Sequence, residues 1–205
     1  MLRQLGRALD FSVLLVTLSM RMRLPAFSEL RKMSFVELGP GPTRMRALKR
    51  FFFRQVFFID QCDFGMPDSQ LRLVDIETCG DVQRISDLCG VSPNAHGFFL
   101  FADHCVEHLT PDAALGLLRS AADRKLAACF RVPNIESPVG RRNFAGDPTH
   151  HTAFDQTFRR SLGDLGYVVS PWVRWYRLGT LMKVLMGQVS LMSAADEIVV
   201  SANFS

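Results

Sequence analysis

The feature that most constrains this chain is a series of largely apolar runs of strand length, Ser34–Leu38, Val56–Ile59, Leu71–Val74, Phe98–Phe101 and Ala127–Val132, separated by helix-like stretches. Runs that do not alternate with polar residues are expected where a strand is covered on both faces, the condition of a parallel sheet wrapped by helices. Thr110-Pro111-Asp112 has the makings of a helix start, with a capping hydroxyl, proline at the first helical position and an early acid; Leu115, Leu118 and Ala122 then share a face. A second helix is predicted from Asp155 to Leu165, with Phe158, Leu162 and Leu165 at helical spacing and Gly166 as its stop. This alternation predicts a single-domain α/β fold, Rossmann-like, with a mostly parallel central sheet and helices on both faces. Ligands of such sheets bind at the carboxyl ends of the strands.

The length of 205 residues suits one domain with an appendage, and 48% hydrophobic with 21% charged residues excludes disorder and a multi-span membrane protein. The expected division is an N-terminal helical segment over 1–33 packed on a domain over 34–205. Five cysteines, an odd number with no C-x-x-C pair, point to packed thiols and a reducing cytoplasm. Residues 1–54 hold 11 Lys and Arg against 3 Asp and Glu, whereas residues 55–205 hold 13 against 17. A solvated helix face is the commoner cause of such an asymmetry, so no nucleic-acid partner is expected. The apolar stretch Phe11–Met20, flanked by Arg3, Arg7, Arg21 and Arg23, is too short to cross a bilayer. A helix docked on the domain is the preferred reading, and a peripheral membrane contact the alternative. Toward the end, Tyr167–Val169 and Glu197–Ser201 are candidate strands, and 171–195, rich in Trp, Met and Leu, a candidate lid or substrate-side insertion.

Chemistry enters at Phe35-Val36-Glu37-Leu38-Gly39-Pro40-Gly41-Pro42-Thr43-Arg44, where a strand runs into a Gly-rich turn and then into a helix bearing Met45 and Leu48. Glycines at Gly39 and Gly41 allow backbone to approach a ligand where a Cβ would collide, so a side chain at either is expected to exclude ligand while sparing the fold. The turn is neither a dinucleotide G-x-G-x-x-G nor a P-loop. Asp60 closes the second strand 21 residues after Gly39, where a carboxylate can accept ribose hydroxyls. A nucleoside ligand without a pyrophosphate fits both features.

These segments resemble those of the class I S-adenosylmethionine-dependent methyltransferases over most of residues 34–170. Glu37–Gly41 resembles the first motif of that family, Asp60 its ribose-binding acid, and Val74-Asp75-Ile76 the segment whose acid reaches the adenine. Phe101–Leu109, with Asp103, is similar to the segment after the fourth strand, Arg131–Asn134 to the end of the fifth, and Asn143–Phe154 to a loop of small-molecule and polysaccharide-tailoring members. The resemblance implies S-adenosylmethionine as cofactor, held by Glu37, Gly39, Gly41, Asp60, Asp75 and Asp103. It also implies methylation of a hydroxyl on a small-molecule or glycan acceptor; a methyltransferase-like binding module without turnover is the alternative.

The candidate catalytic residues are His108 and His150, the latter in a loop on the ligand edge beside Arg141 and Arg142. Either imidazole could take the acceptor's proton, or be structural. His104-Cys105-Val106-Glu107-His108 also matches the zinc-binding H-x-x-E-H pattern. That pattern needs a long helix, and Pro111 restarts one just after it, so a metal-free site is expected.

Overall fold

The computed structural model describes residues 11, 30–41, 46–63, 70–94, 97–172, 185–187, 190–191, 195 and 197–202. In chain order the elements are β1 (Ser34–Leu38), α1 (Arg46–Phe52), β2 (Gln55–Asp60), β3 (Leu71–Leu73), α2 (Val82–Cys89), β4 (Phe98–Asp103), α3 (Pro111–Asp123), β5 (Ala128–Pro133), α4 (Pro138–Ala145), α5 (Gln156–Asp164), β6 (Tyr167–Trp172) and β7 (Glu197–Ala202). Single 3-10 turns cover Ile76–Cys79 and Val106–His108. The strands form one seven-stranded sheet in the order β3-β2-β1-β4-β5-β7-β6. β1 to β5 pair in parallel, while β7 is antiparallel to both β5 and β6. The mostly parallel α/β architecture expected from the apolar runs is therefore present.

The central strands are apolar because both their faces are covered. Phe35, Phe58, Phe98, Phe99 and Phe130 are each fully buried; a buried phenylalanine stabilises by about 1.5–3 kcal/mol relative to an exposed one. Phe11 joins this core edge-on to Phe35 and Phe101, at centroid distances of 5.8 and 5.4 Å. Phe11 is the only residue before Leu30 that is described, so the expected helical segment over 1–33 lies mostly outside the described residues. Four cysteines are buried and all five are free, as expected of packed thiols; burial pushes the Cys79 thiol up to about 11. No helix among the described residues is long and apolar enough to cross a membrane.

Both anticipated helices form. The Thr110 hydroxyl accepts from the Ala113 amide at 3.4 Å, and the Asp155 carboxylate from the Phe158 amide at 2.8 Å. The buried face of α3 is carried by Ala114, Leu117, Leu118 and Ala121; of the three residues read onto one face, Leu118 lies in it and Leu115 and Ala122 are half-buried beside it. The segment read as a loop around Arg141 and Arg142 is helix α4, opened by Ser137, whose hydroxyl accepts from the Gly140 amide at 2.9 Å. Ser137-Pro138 was the available signal, a capping residue followed by proline at the first helical position. Both arginines are exposed on that helix. The candidate lid is described only at Pro171–Trp172 and in isolated residues after it.

Candidate active site

Because β1, β2, β4 and β5 run in parallel, their carboxyl ends bring Gly39, Asp60, Asp103 and Asn134 to one edge of the sheet. Gly39 and Gly41 both have left-handed backbones, with φ of +60° and +59°. Their surroundings differ. A Cβ at Gly39 would lie 2.7 Å from Cys105 Sγ, whereas one at Gly41 would meet nothing within 4 Å among the described residues. Gly39 is thus required by close packing of the turn on the segment after β4, and only Gly41 leaves open space for a ligand. The expectation that a side chain at either position spares the fold is corrected for Gly39.

Asp60 is buried, and its two oxygens accept from the amides of Gly41 and Cys62, each at 3.2 Å. A carboxylate has about four acceptor positions, so two remain. Glu37 is also buried, and its carboxylate pairs with the fully buried Lys49 of α1. The Glu37 side chain therefore locks the helix after the turn onto β1. Asp75 is exposed and caps the 3-10 turn after it, accepting from Glu77 N at 3.1 Å. This capping is a structural role, distinct from the adenine contact that the resemblance implies.

Asp103 receives both arms of the Arg131 guanidinium, with Nε at 2.7 Å from Oδ1. Burial opposes its ionisation, but Arg131 outweighs burial and holds the carboxyl below the usual carboxylate range. Arg131 also lies 3.7 Å from Glu197 of β7, and Glu197 in turn contacts His104 Nε2 at 2.9 Å. His104, at φ +53°, has its Nδ1 3.2 Å from Glu107 Oε1. Burial would lower His104, yet the two glutamates push it up to about 10. This chain of alternating charges ties β4, β5 and β7 together at the ligand edge, and the distant Glu197 was not among the residues singled out from the sequence.

A folded-state value below the unfolded one, about 3.9, means that Asp103 contributes stability above that pH and loses it as pH falls through the depressed value. The melting temperature of the wild type should fall more steeply between about pH 5 and about pH 2 than that of Asp103→Asn. Parallel curves would dismiss the Arg131 pairing.

The H-x-x-E-H residues do not sit as a metallopeptidase requires, because Val106–His108 is a single 3-10 turn and His104 is turned toward Glu197. His108 instead meets His150, with ring centroids 4.6 Å apart. The loop carrying His150 is pinned to the 3-10 turn by the amides of His151 and Thr152, which donate to Glu107 O at 2.8 and 3.0 Å. The Thr152 hydroxyl adds a bond of 2.6 Å to Leu109 O. His108 and His150 were both picked out in the sequence, but their adjacency is a product of this docking. The His151 side chain is exposed.

No family model and no curated protein sequence matches the chain. Among solved structures it is similar to an S-adenosylmethionine-dependent methyltransferase from Archaeoglobus fulgidus, at 16% identity and a TM-score of 0.58, with 88% of this chain and 90% of that one covered. A second, from Mesorhizobium loti, is 14% identical at a TM-score of 0.53 and covers 89% of this chain and 94% of its own. The described residues have the Rossmann-like fold of the class I S-adenosylmethionine-dependent methyltransferases.

Proposed function

We propose that this chain is an S-adenosylmethionine-dependent methyltransferase acting on a hydroxyl of a small molecule or glycan. The observation that carries the reading is the pairing of Gly41 with Asp60: a left-handed glycine with open space beside it, held by a buried carboxylate that keeps two acceptor positions free. Those positions suit the two hydroxyls of a ribose, and the Gly39–Gly41 backbone suits the methionine portion of the cofactor. The fold of the structural neighbours supports the same assignment. Asp75, at the edge beyond β3, is assigned to the adenine side. Glu37 and Asp103 serve the cofactor through the packing of the turn and of the segment after β4.

The cofactor, held by the Gly39–Gly41 backbone and Asp60, would supply an activated sulfonium methyl for the acceptor oxygen, with the thioether as leaving group. The protein's part is to align the acceptor and remove its proton. Contact between the turn and Cys105 sets the 3-10 turn with His108 beside the cofactor edge, and α4 brings in His150. In this reading Nε2 of either imidazole receives the hydroxyl proton.

Calorimetric titration with S-adenosylhomocysteine tests the class, and a one-to-one complex is expected. An absence of binding would end the methyltransferase reading. Binding without transfer to any hydroxylated acceptor would select the non-catalytic binding module, and transfer to RNA would replace the acceptor class.

A further inference from the structure

We propose that Glu107, His108 and His150 form a binding site for a divalent metal of the zinc type at the carboxyl edge of the sheet. One ligand atom from each of the three lies within 4.8 Å of the others. Bonds to zinc are about 2.0–2.2 Å long, so side-chain rotations on the ångström scale would close the three around one ion.

Two independent observations point to a cation. Glu107 is fully buried, and of its two carboxylate oxygens only Oε1 has a partner among the described residues, the His104 ring at 3.2 Å. Oε2 accepts no hydrogen bond from any described residue. Buried polar atoms are rarely left in this state, and a missing ion is one of the standard explanations. The second observation concerns the imidazoles. The Thr149 hydroxyl gives its one proton to Asp147 Oδ1 at 2.6 Å, so its contact with His108 Nδ1 at 2.8 Å is one in which the ring nitrogen donates. His150 Nδ1 donates to the Phe144 carbonyl at 3.0 Å. The Nδ1 proton of each ring is thereby fixed, which leaves Nε2 as the atom that can offer a lone pair to a metal. An outer hydrogen bond of this kind orients metal-bound histidines. Asp147 Oδ2, 3.8 Å from His150 Nε2, is too far to occupy it.

Two imidazoles and one carboxylate are a donor set of catalytic zinc sites with an open position, and they fit magnesium poorly because it prefers oxygen ligands. The metal-free site expected from the sequence is here replaced by one in which the loop histidine, and not His104, completes the ligands. The role of the ion rests on the methyltransferase reading but replaces the base within it: the open position would take the acceptor hydroxyl, acidify it and release its proton to solvent, with both histidines acting as ligands in place of the proton-accepting role given to them above. The site itself rests on geometry alone.

The full chain, stripped with chelator, should bind one Zn²⁺ by calorimetry, with Mg²⁺ failing to compete, and cobalt(II) should give the visible absorption of a low-coordinate imidazole site. His108→Ala and His150→Ala should abolish stoichiometric binding, while Thr149→Val, which removes the acceptor for His108 Nδ1 together with the hydroxyl's bond to Asp147 and leaves all three ligands in place, should weaken it about 10- to 100-fold. His151→Ala should bind as the wild type. Absence of one-to-one Zn²⁺ binding, or its retention in the His108→Ala/His150→Ala double variant, would overturn the site. Should either histidine variant fail to fold, unchanged affinity in Thr149→Val would do so. Zinc binding without S-adenosylhomocysteine binding would keep the site and discard the methyltransferase reading, and the reverse would discard the metal and leave the imidazoles as bases.

Discussion

Gly39→Val is expected to destabilise the whole fold, and Gly41→Val to lose the cofactor while folding normally. The backbone term is common to both, since φ near +60° in a residue with a side chain costs roughly 1–2 kcal/mol. Gly39 carries a second term, because its new Cβ would sit 2.7 Å from Cys105 Sγ and 2.8 Å from Cys105 Cβ. Cys105 is buried and cannot swing into solvent, so the turn and the segment after β4 must separate. Overpacking of this kind costs about 1–3 kcal/mol, which with the backbone term reaches a large part of a typical total stability of about 5–15 kcal/mol. At Gly41 no described residue stands within 4 Å of the added carbon, and the isopropyl group would fill the space assigned to the cofactor. Urea unfolding and S-adenosylhomocysteine titration on the same two variants check this. Equal unfolding midpoints would refute the Cys105 contact as the reason for Gly39, and normal affinity in Gly41→Val would remove the turn from the cofactor site.

Asp60→Ala should weaken S-adenosylhomocysteine binding by at least about tenfold and by up to several orders of magnitude. A hydrogen bond to a charged group is worth about 1.5–3 kcal/mol, and about 1.4 kcal/mol is a factor of ten in affinity. Two such bonds to ribose would be lost. The same substitution also releases the amides of Gly41 and Cys62, so the turn loses its preorganisation before any ligand arrives. Asp60→Asn separates the effects: its remaining oxygen keeps one amide acceptor while the charge is gone, and its affinity should fall between the other two. If Asp60→Ala binds as the wild type, the end of β2 is not the ribose site.

What could be read along the chain was whatever depends on nearest neighbours and on burial of whole runs. β1 begins and ends where the run Ser34–Leu38 does, a strand covered on both faces in which every residue is buried, Glu37 included through its pairing with Lys49. Asp155 and Gly166 bracket α5 for local reasons as well, a carboxylate on a free amide at one end and φ of +84° at the other. Helix α4 was equally local and was overlooked in favour of the loop suggested by the resemblance. The third strand stops one residue short of Val74, within the margin of any terminus.

The sequence by itself determined the parallel α/β sheet, the glycine turn and the acid that follows it, because hydrophobic periodicity and fixed spacing carry these directly. Only the tertiary structure decided which groups meet. Glu197, far along the chain from His104, closes the charged chain across β7, and Thr149 sets the tautomer of His108 across a separation of 41 residues. The identical glycines of one turn were given different tasks by Cys105, which reaches Gly39 and not Gly41. His108 was paired with His150 instead of His104 because a single 3-10 turn and two amides on the Glu107 carbonyl fix the side-chain directions. Contacts of that kind depend on how separately stable elements pack in three dimensions, and the residues that form them are too far apart in the chain for any local periodicity to register them.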